Sequence, residues 1–135
     1  MSGAAKRERR IATLTLVVAD YDEAIAWFSG KLGFELQEDT DLGGGRRWVT
    51  VAPAGGGVRL LLAEAKNDEE RSRIGNQTGG RVFLFLETDD FARDHAAMQA
   101  NGVVFNEAPR HEAYGTVAVF ADLYGNLWDL LEPKR

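Results

Sequence analysis

Cysteine is absent from the 135 residues, which excludes a disulfide framework and thiolate chemistry and suits a reducing, cytoplasmic setting. No apolar run approaches the roughly 20 residues that would span a bilayer, so no membrane partner is expected. Basic charge is also scarce. Lys and Arg number 16 against 21 Asp and Glu, a formal net charge of −5 that argues against nucleic acid as a partner. The basic N-terminal stretch MSGAAKRERR is followed by no apolar segment of the kind a secretory signal needs, and residues 1–10 read as a solvated arm. What is present is one domain long enough to bury a core, with a hydrophobic fraction of 44% that is ordinary for a globular chain.

The chain says nearly the same thing twice. Residues 11–33 (IATLTLVVADYDEAIAWFSGKLG) and 81–102 (RVFLFLETDDFARDHAAMQANG) each read as apolar strand, acidic helix start, amphipathic helix and stop glycine. Aligning Asp20 with Asp90 aligns Thr13 with Phe83, and Gly33 falls beside Gly102 with a slip of one residue. The closing segments GVRLLLAEA (57–65) and GNLWDLLEP (125–133) also match. A period near 70 residues is too long for a solenoid and indicates a duplicated supersecondary unit.

Leu14, Leu16 and Val18 alternate with Thr13, Thr15 and Val17, as in a strand with two distinct faces. Asp20 with Glu23 predicts a capping box, Ala24, Ile25, Trp27 and Phe28 supply a helical packing stripe, and Gly33 is a natural stop. Strands are expected at Phe34–Glu38, Arg47–Val51 and Val58–Ala63, which completes βαβββ. Residues 65–79 form a linker with room for one or two helical turns. A helix from Asp89 or Asp90 to Ala100 follows the strand at 81–87, with further strands near 103–107, 115–121 and 126–131. The fold class is therefore α+β: a first βαβββ unit over 11–64, the linker over 65–79 and a second unit over 80–133, together one domain. Trp27 and Trp128 are core by phase, whereas His95 falls on the exposed side of its helix.

Two βαβββ units, the opening L-x-V-x-D (Leu16 to Asp20), the Lys31-Leu32-Gly33-Phe34 helix exit and the Asp122-Leu-Tyr-Gly-Asn-Leu-Trp-Asp-Leu segment together resemble the vicinal oxygen chelate superfamily. This is the group of glyoxalases, bleomycin-resistance proteins and extradiol dioxygenases, and the resemblance spans residues 10–133. It implies paired curved mixed sheets forming a cup, and a homodimer that is built with or without exchange of units. It does not fix an activity, because one scaffold hosts many chemistries.

Metal-dependent members of such a family place four ligands on the cup wall, two from each unit. Carried over by register, these positions hold Thr13, Leu61, Phe83 and Asp129, of which only Asp129 is a competent donor. No metal and no other cofactor are therefore expected. A relocated site would have to draw on Glu87, Glu107, His111 or Glu112 together with Asp129, and nothing in their spacing resembles a ligand pair. The face in phase with Thr13 adds Thr15, Arg59 and Phe85, and Trp48 supplies a further wall, which is the composition of a small-molecule pocket.

Asp129 has two readings: paired with Arg59 or another arginine, or left with a raised pKa as a general acid or base. In Glu107–Tyr114, Arg110 suits an anionic group and Tyr114 suits stacking or hydrogen bonding, unless the segment is simply a charged hairpin. Gln77 either reaches the pocket or sets the turn before the fifth strand. The expectation is a metal-independent pocket that binds or sequesters a small, partly hydrophobic molecule. The alternative is a glyoxalase-like lyase, isomerase or dioxygenase, using a relocated metal or Asp129.

Overall fold

The computed structural model describes residues 7–135. Lys6 and the rest of residues 1–6 of the expected arm lie outside the described residues, and Arg7–Arg10 are exposed and irregular. In chain order the elements are β1 (Thr13–Val18), α1 (Tyr21–Leu32), β2 (Glu35–Gly43), β3 (Arg46–Ala52) and β4 (Arg59–Glu64). A single turn, α2 (Asp68–Arg71), interrupts the linker. Then come β5 (Val82–Glu87), α3 (Phe91–Ala100), β6 (Val104–Phe105), β7 (Arg110–Glu112), β8 (Gly115–Ala121) and β9 (Leu127–Pro133). The first sheet runs β1-β4-β3-β2 and the second β5-β9-β8-β6, with β7 pairing β8 beyond the end of β6. Each sheet is mixed, since β1 pairs β4, and β5 pairs β9, in parallel, whereas the other pairs are antiparallel.

The repeat extends to the helix starts. Asp20 Oδ2 accepts from the Glu23 N–H at 2.8 Å, and Asp90 Oδ1 from the Arg93 N–H at 3.1 Å. The first N–H of each helix is satisfied from the last strand of the same unit: Tyr21 N–H donates to Glu64 Oε2 at 3.2 Å and Phe91 N–H to Glu132 Oε1 at 2.7 Å. These glutamates place negative charge at the positive end of each helix. Glu23 departs from the capping-box expectation, because its carboxylate accepts from the Tyr124 hydroxyl at 2.9 Å, tying α1 to the second unit. α1 ends at Gly33 in the left-handed region (φ 70°), with the Phe34 N–H reaching back to the Phe28 carbonyl.

One face of each sheet contributes to a single core shared with the helices. Leu16, Val18, Val49, Val51, Leu60 and Leu62 from the first join Ala118, Phe120, Trp128 and Leu130 from the second in one cluster, with α1 and α3 contributing Phe28 and Met98. Trp128 sits at its centre. It stacks on Phe120 with ring centroids 5.7 Å apart and is met from the other unit by Phe28 at 5.9 Å and Phe34 at 6.1 Å. Phe34 precedes β2, at the far edge of the first sheet, so it reaches β9 only if the sheets are layered and not joined edge to edge.

The D-x-x-G-N-x-W motif is the fastening of this core. Buried Asp122 accepts from the Tyr124 N–H (3.0 Å), the Asn126 N–H (3.0 Å), Asn126 Nδ2 (3.1 Å) and Trp128 Nε1 (3.0 Å). Asn126 Oδ1 in turn accepts from the Gln77 N–H at 3.1 Å, and Gln77 Oε1 accepts from the Val17 N–H at 2.8 Å. Gln77 thus reaches no pocket; it satisfies the free edge of β1. Gly75 allows the linker to lie against Tyr124, where a Cβ would overlap the Tyr124 carbonyl oxygen. Replacing Asp122 by Ala strands buried donors, and the expected loss is about 2–4 kcal/mol. The check is urea unfolding at neutral pH: a lowered midpoint with unchanged slope is expected, and a shift within error of zero would contradict this role.

Candidate functional site

Because one face of each sheet contributes to the shared core, the opposite face points away from it, and the predicted site residues divide between the two sheets. On the first sheet the strand register aligns Thr13 with Arg59, Thr15 with Leu61, and Leu61 with Thr50. Trp48, two residues before Thr50 on β3, shares this face. On the second, Phe85 pairs with Asp129 and Asp129 with Val119. The structure therefore brings Thr13, Thr15, Trp48, Arg59 and Leu61 together as one half-site, and Phe85, Asp129, Arg110 and Tyr114 as another. No strand pairing among the described residues joins the two groups.

Phe83 belongs to neither half-site. The β5–β9 register slips between Val82 and Leu84, so an extra residue is accommodated there and the strict alternation of β5 is broken. The Phe83 ring packs edge-on against Trp128, at 6.2 Å and 87°, as part of the core. The expectation that Phe83 lies in phase with Phe85 is corrected by this bulge. Phe85 keeps the outer face and is 63% exposed.

Both sheets carry a second device that the sequence reading passed over. The edge strand of each is irregular: β2 shifts register between Leu36 and Glu38, and the second sheet's edge is broken into β6 and β7. At each irregularity a glutamate turns inward. Glu38 Oε1 accepts from Trp48 Nε1 at 3.2 Å and from the Thr50 hydroxyl at 3.1 Å. Glu107 Oε2 accepts from the Val119 N–H at 2.9 Å, replacing a missing ladder bond, while its Oε1 takes Arg110 Nε at 2.9 Å. Glu38 and Glu107 stand 69 residues apart, as do Gly33 and Gly102, so the repeat register carried the signal for Glu38.

Asp129 is 7% exposed, and its Oδ1 has no hydrogen-bond partner among the described residues. Burial pushes its carboxyl above the ordinary carboxylate value; Arg110 opposes the shift and Glu107 adds to it. Arg59, the partner considered from sequence, lies on the other sheet's outer face, and the cation in electrostatic reach is Arg110. Arg110 is itself engaged by Glu107, by Tyr114 and by Glu112 at 3.1 Å, which together hold its guanidinium firmly charged. Arg110 in turn holds Glu107 below the usual carboxylate range.

A divalent cation would need three or four donors. Among the described residues no group of three or more His, Cys, Asp or Glu is placed to hold one. His111 Nδ1 lies 3.3 Å from the Thr116 hydroxyl and Glu112 is paired with Arg110, so neither converges on Asp129. The donor set does not fit a metal. His95, expected at the surface, is instead half-buried, stacked on Phe91 at 5.2 Å and packed on Phe105 at 4.4 Å, with a buried Nε2. Phe105, which the helix periodicity could not reveal, covers it.

A family model for the Glyoxalase/Bleomycin resistance protein/Dioxygenase superfamily matches residues 10–130. The chain belongs to this superfamily. It is 56% identical over 127 residues to an uncharacterized protein of Shewanella frigidimarina (strain NCIMB 400), covering 93% of this chain and 94% of that one. Among solved structures it resembles UcmS2, at 28% identity and TM-score 0.80 over 93% of this chain and 99% of that chain. It also resembles TnmS3, an antibiotic binding protein from Streptomyces sp. CB03234, at 27% identity and TM-score 0.76 over 96% of this chain and 100% of that one. In this glyoxalase/bleomycin-resistance fold a cleft of about 970 Å³ also opens between the units, walled by core-side Leu14, Leu84, Leu86 and Trp128, and it includes only Phe85 of the predicted site. No helix of the described residues is long and apolar enough to cross a membrane.

The raised Asp129 pKa gives a pH signature. An acid whose folded-state pKa exceeds its unfolded value favours the folded state most below the unfolded pKa, and that contribution is lost as pH rises through the folded pKa. Asp129→Asn should therefore match the wild type near pH 3 and gain stability relative to it as pH rises from about 4. Paired urea titrations from pH 3 to 8 would show a widening difference; a pH-independent difference would mean the carboxyl is not shifted.

Proposed function

We propose that this chain is a metal-independent binding protein that holds a small, partly hydrophobic molecule against the outer sheet faces, between two copies of itself. The observation that carries the reading is the content of the four positions where metal-dependent relatives keep ligands: Thr13, Leu61, a core-packed Phe83 and one carboxylate, Asp129. Around them stand aromatic and aliphatic surfaces, Trp48 (39% exposed) and Leu61 on one face and Phe85 and Tyr114 on the other. A few polar groups fix orientation, as in small-molecule pockets generally. The likeness to TnmS3 supports the same class of role.

Two copies enter because the half-sites point apart. A two-fold axis would set the Trp48 face of one copy over the Phe85 face of the other, forming two equivalent pockets. It would also cover β5, whose outer edge is unpaired and carries the exposed Phe85. Light scattering on the eluting protein should give twice 14.9 kDa; a monomer at micromolar concentration would remove the two-copy pocket.

Chelator-treated protein should show no rise in melting midpoint with Zn²⁺, Ni²⁺, Mn²⁺, Fe²⁺ or Mg²⁺, and a rise with a bound aromatic antibiotic from a screened panel. Stoichiometric metal in tag-free protein, with a midpoint rise lost in Asp129→Ala, would overturn the reading and restore the lyase or dioxygenase alternative. One observation favours a second reading, a metal-free enzyme: buried Asp129 has an unpartnered oxygen and a raised pKa, the condition of a general acid or base. On that reading Asp129→Asn abolishes turnover while leaving the melting curve cooperative, and retained turnover sinks it.

A further inference from the structure

We propose that the molecule received on the second sheet's outer face carries a cationic nitrogen on an apolar or aromatic body, and that Asp129 is the group that receives the nitrogen. The proposal rests on the binding reading above and names the chemistry of its ligand.

A carboxylate removed from water and left short of a partner is costly unless something supplies a donor and a counter-charge. Asp129 meets that description: 7% exposed, with Oδ1 free of any hydrogen bond. The described residues of one chain do not supply the full counter-charge. Arg110, the cation in reach, already holds Glu107 at 2.9 Å and Glu112 at 3.1 Å. Three carboxylates, Asp129, Glu107 and Glu112, therefore share one guanidinium, and the patch stays negative even when the Arg59 of a facing second copy is added. An anionic ligand would face that excess. A neutral hydroxyl would satisfy the hydrogen bond and leave the charge. A protonated amine or amidinium satisfies both.

The apolar body is called for by Phe85. It is paired in register with Asp129 across β5 and β9 and is 63% exposed, so an apolar ring with a nitrogen one bond away can cover Phe85 while the nitrogen sits against the part of the Asp129 carboxylate that stays accessible. The equivalent place in the first unit holds Leu61, opposite Thr50 in register. Only the second face offers the buried charge, so the two faces would receive different ends of one molecule.

The test compares three probes of one shape: 2-naphthylmethylammonium, 2-naphthylmethanol and 2-naphthoate. Each is titrated at neutral pH into full-length wild type and Asp129→Asn, with the dissociation constant read by calorimetry. The expected order in the wild type is the ammonium tighter than the alcohol by at least about tenfold, with naphthoate weakest. In Asp129→Asn the ammonium should fall to the level of the alcohol, while the alcohol itself changes less than about twofold, which shows that the pocket is intact. If the alcohol or naphthoate binds the wild type as tightly as the ammonium, or Asp129→Asn leaves the ammonium unaffected, the cationic assignment is wrong and the binding reading stands. If no probe binds either protein, both fail.

Discussion

The packing of Trp128 is the constraint on which the arrangement of this molecule depends. Its indole N–H is held by buried Asp122, one face lies on Phe120 of its own sheet, Phe83 meets it edge-on, and Phe28 and Phe34 reach it from the other unit. A single unit of this size would bury too small a fraction of its surface to be secure alone. Sharing one core solves that, and it decides which faces are spent. The sheet faces that meet at Trp128 become interior, and the opposite faces must point away from each other. The separation of the Trp48 and Phe85 groups onto different sheet faces thus follows from the shared core.

Irregular strands then decide what the outward faces carry. A regular strand repeats every two residues, so one inserted residue transfers everything beyond it to the opposite face. In β5 the insertion spares Phe85 and turns Phe83 to the core. At the sheet edges, the irregularities in β2 and between β6 and β7 bring Glu38 and Glu107 back toward the ladder, each bonding groups on the strand beside it. The two units share this device and differ in its surroundings: a tryptophan and a threonine bind the first glutamate, an arginine and a backbone N–H the second.

What was legible in the sequence was what is local. Asp20, Asp90 and Gly33 announce helix ends because capping needs only residues three or four apart, and the alternation of β1 survives because that strand is regular. Superfamily and fold were legible from the doubled pattern and the Asp122–Trp128 motif. Two side chains lie where local periodicity does not put them. Phe83 sits at a bulge that alternation cannot see, and His95 is covered by Phe105 from the strand that follows its helix. Each depends on how neighbouring elements pack. Gln77 also fell outside local logic, since its partners Val17 and Asn126 are 60 and 49 residues away.

The repeat also separates what the fold needs from what it merely carries. Leu61 and Asp129 occupy equivalent places, each paired in register with the first strand of its unit and with the strand on its other side. Leu61 demonstrates that the scaffold accepts an apolar side chain there, so the carboxylate of Asp129 is not a requirement of the architecture. Such a group, buried with an unpartnered oxygen, lowers stability relative to leucine. The residues nearest to it do not relieve that cost: Arg110 is committed to Glu107 and Glu112, and Glu107 makes the local field more negative. An energetically unfavourable group that the fold can do without, with the exposed Phe85 beside it, is the observation on which the proposed ligand contact rests.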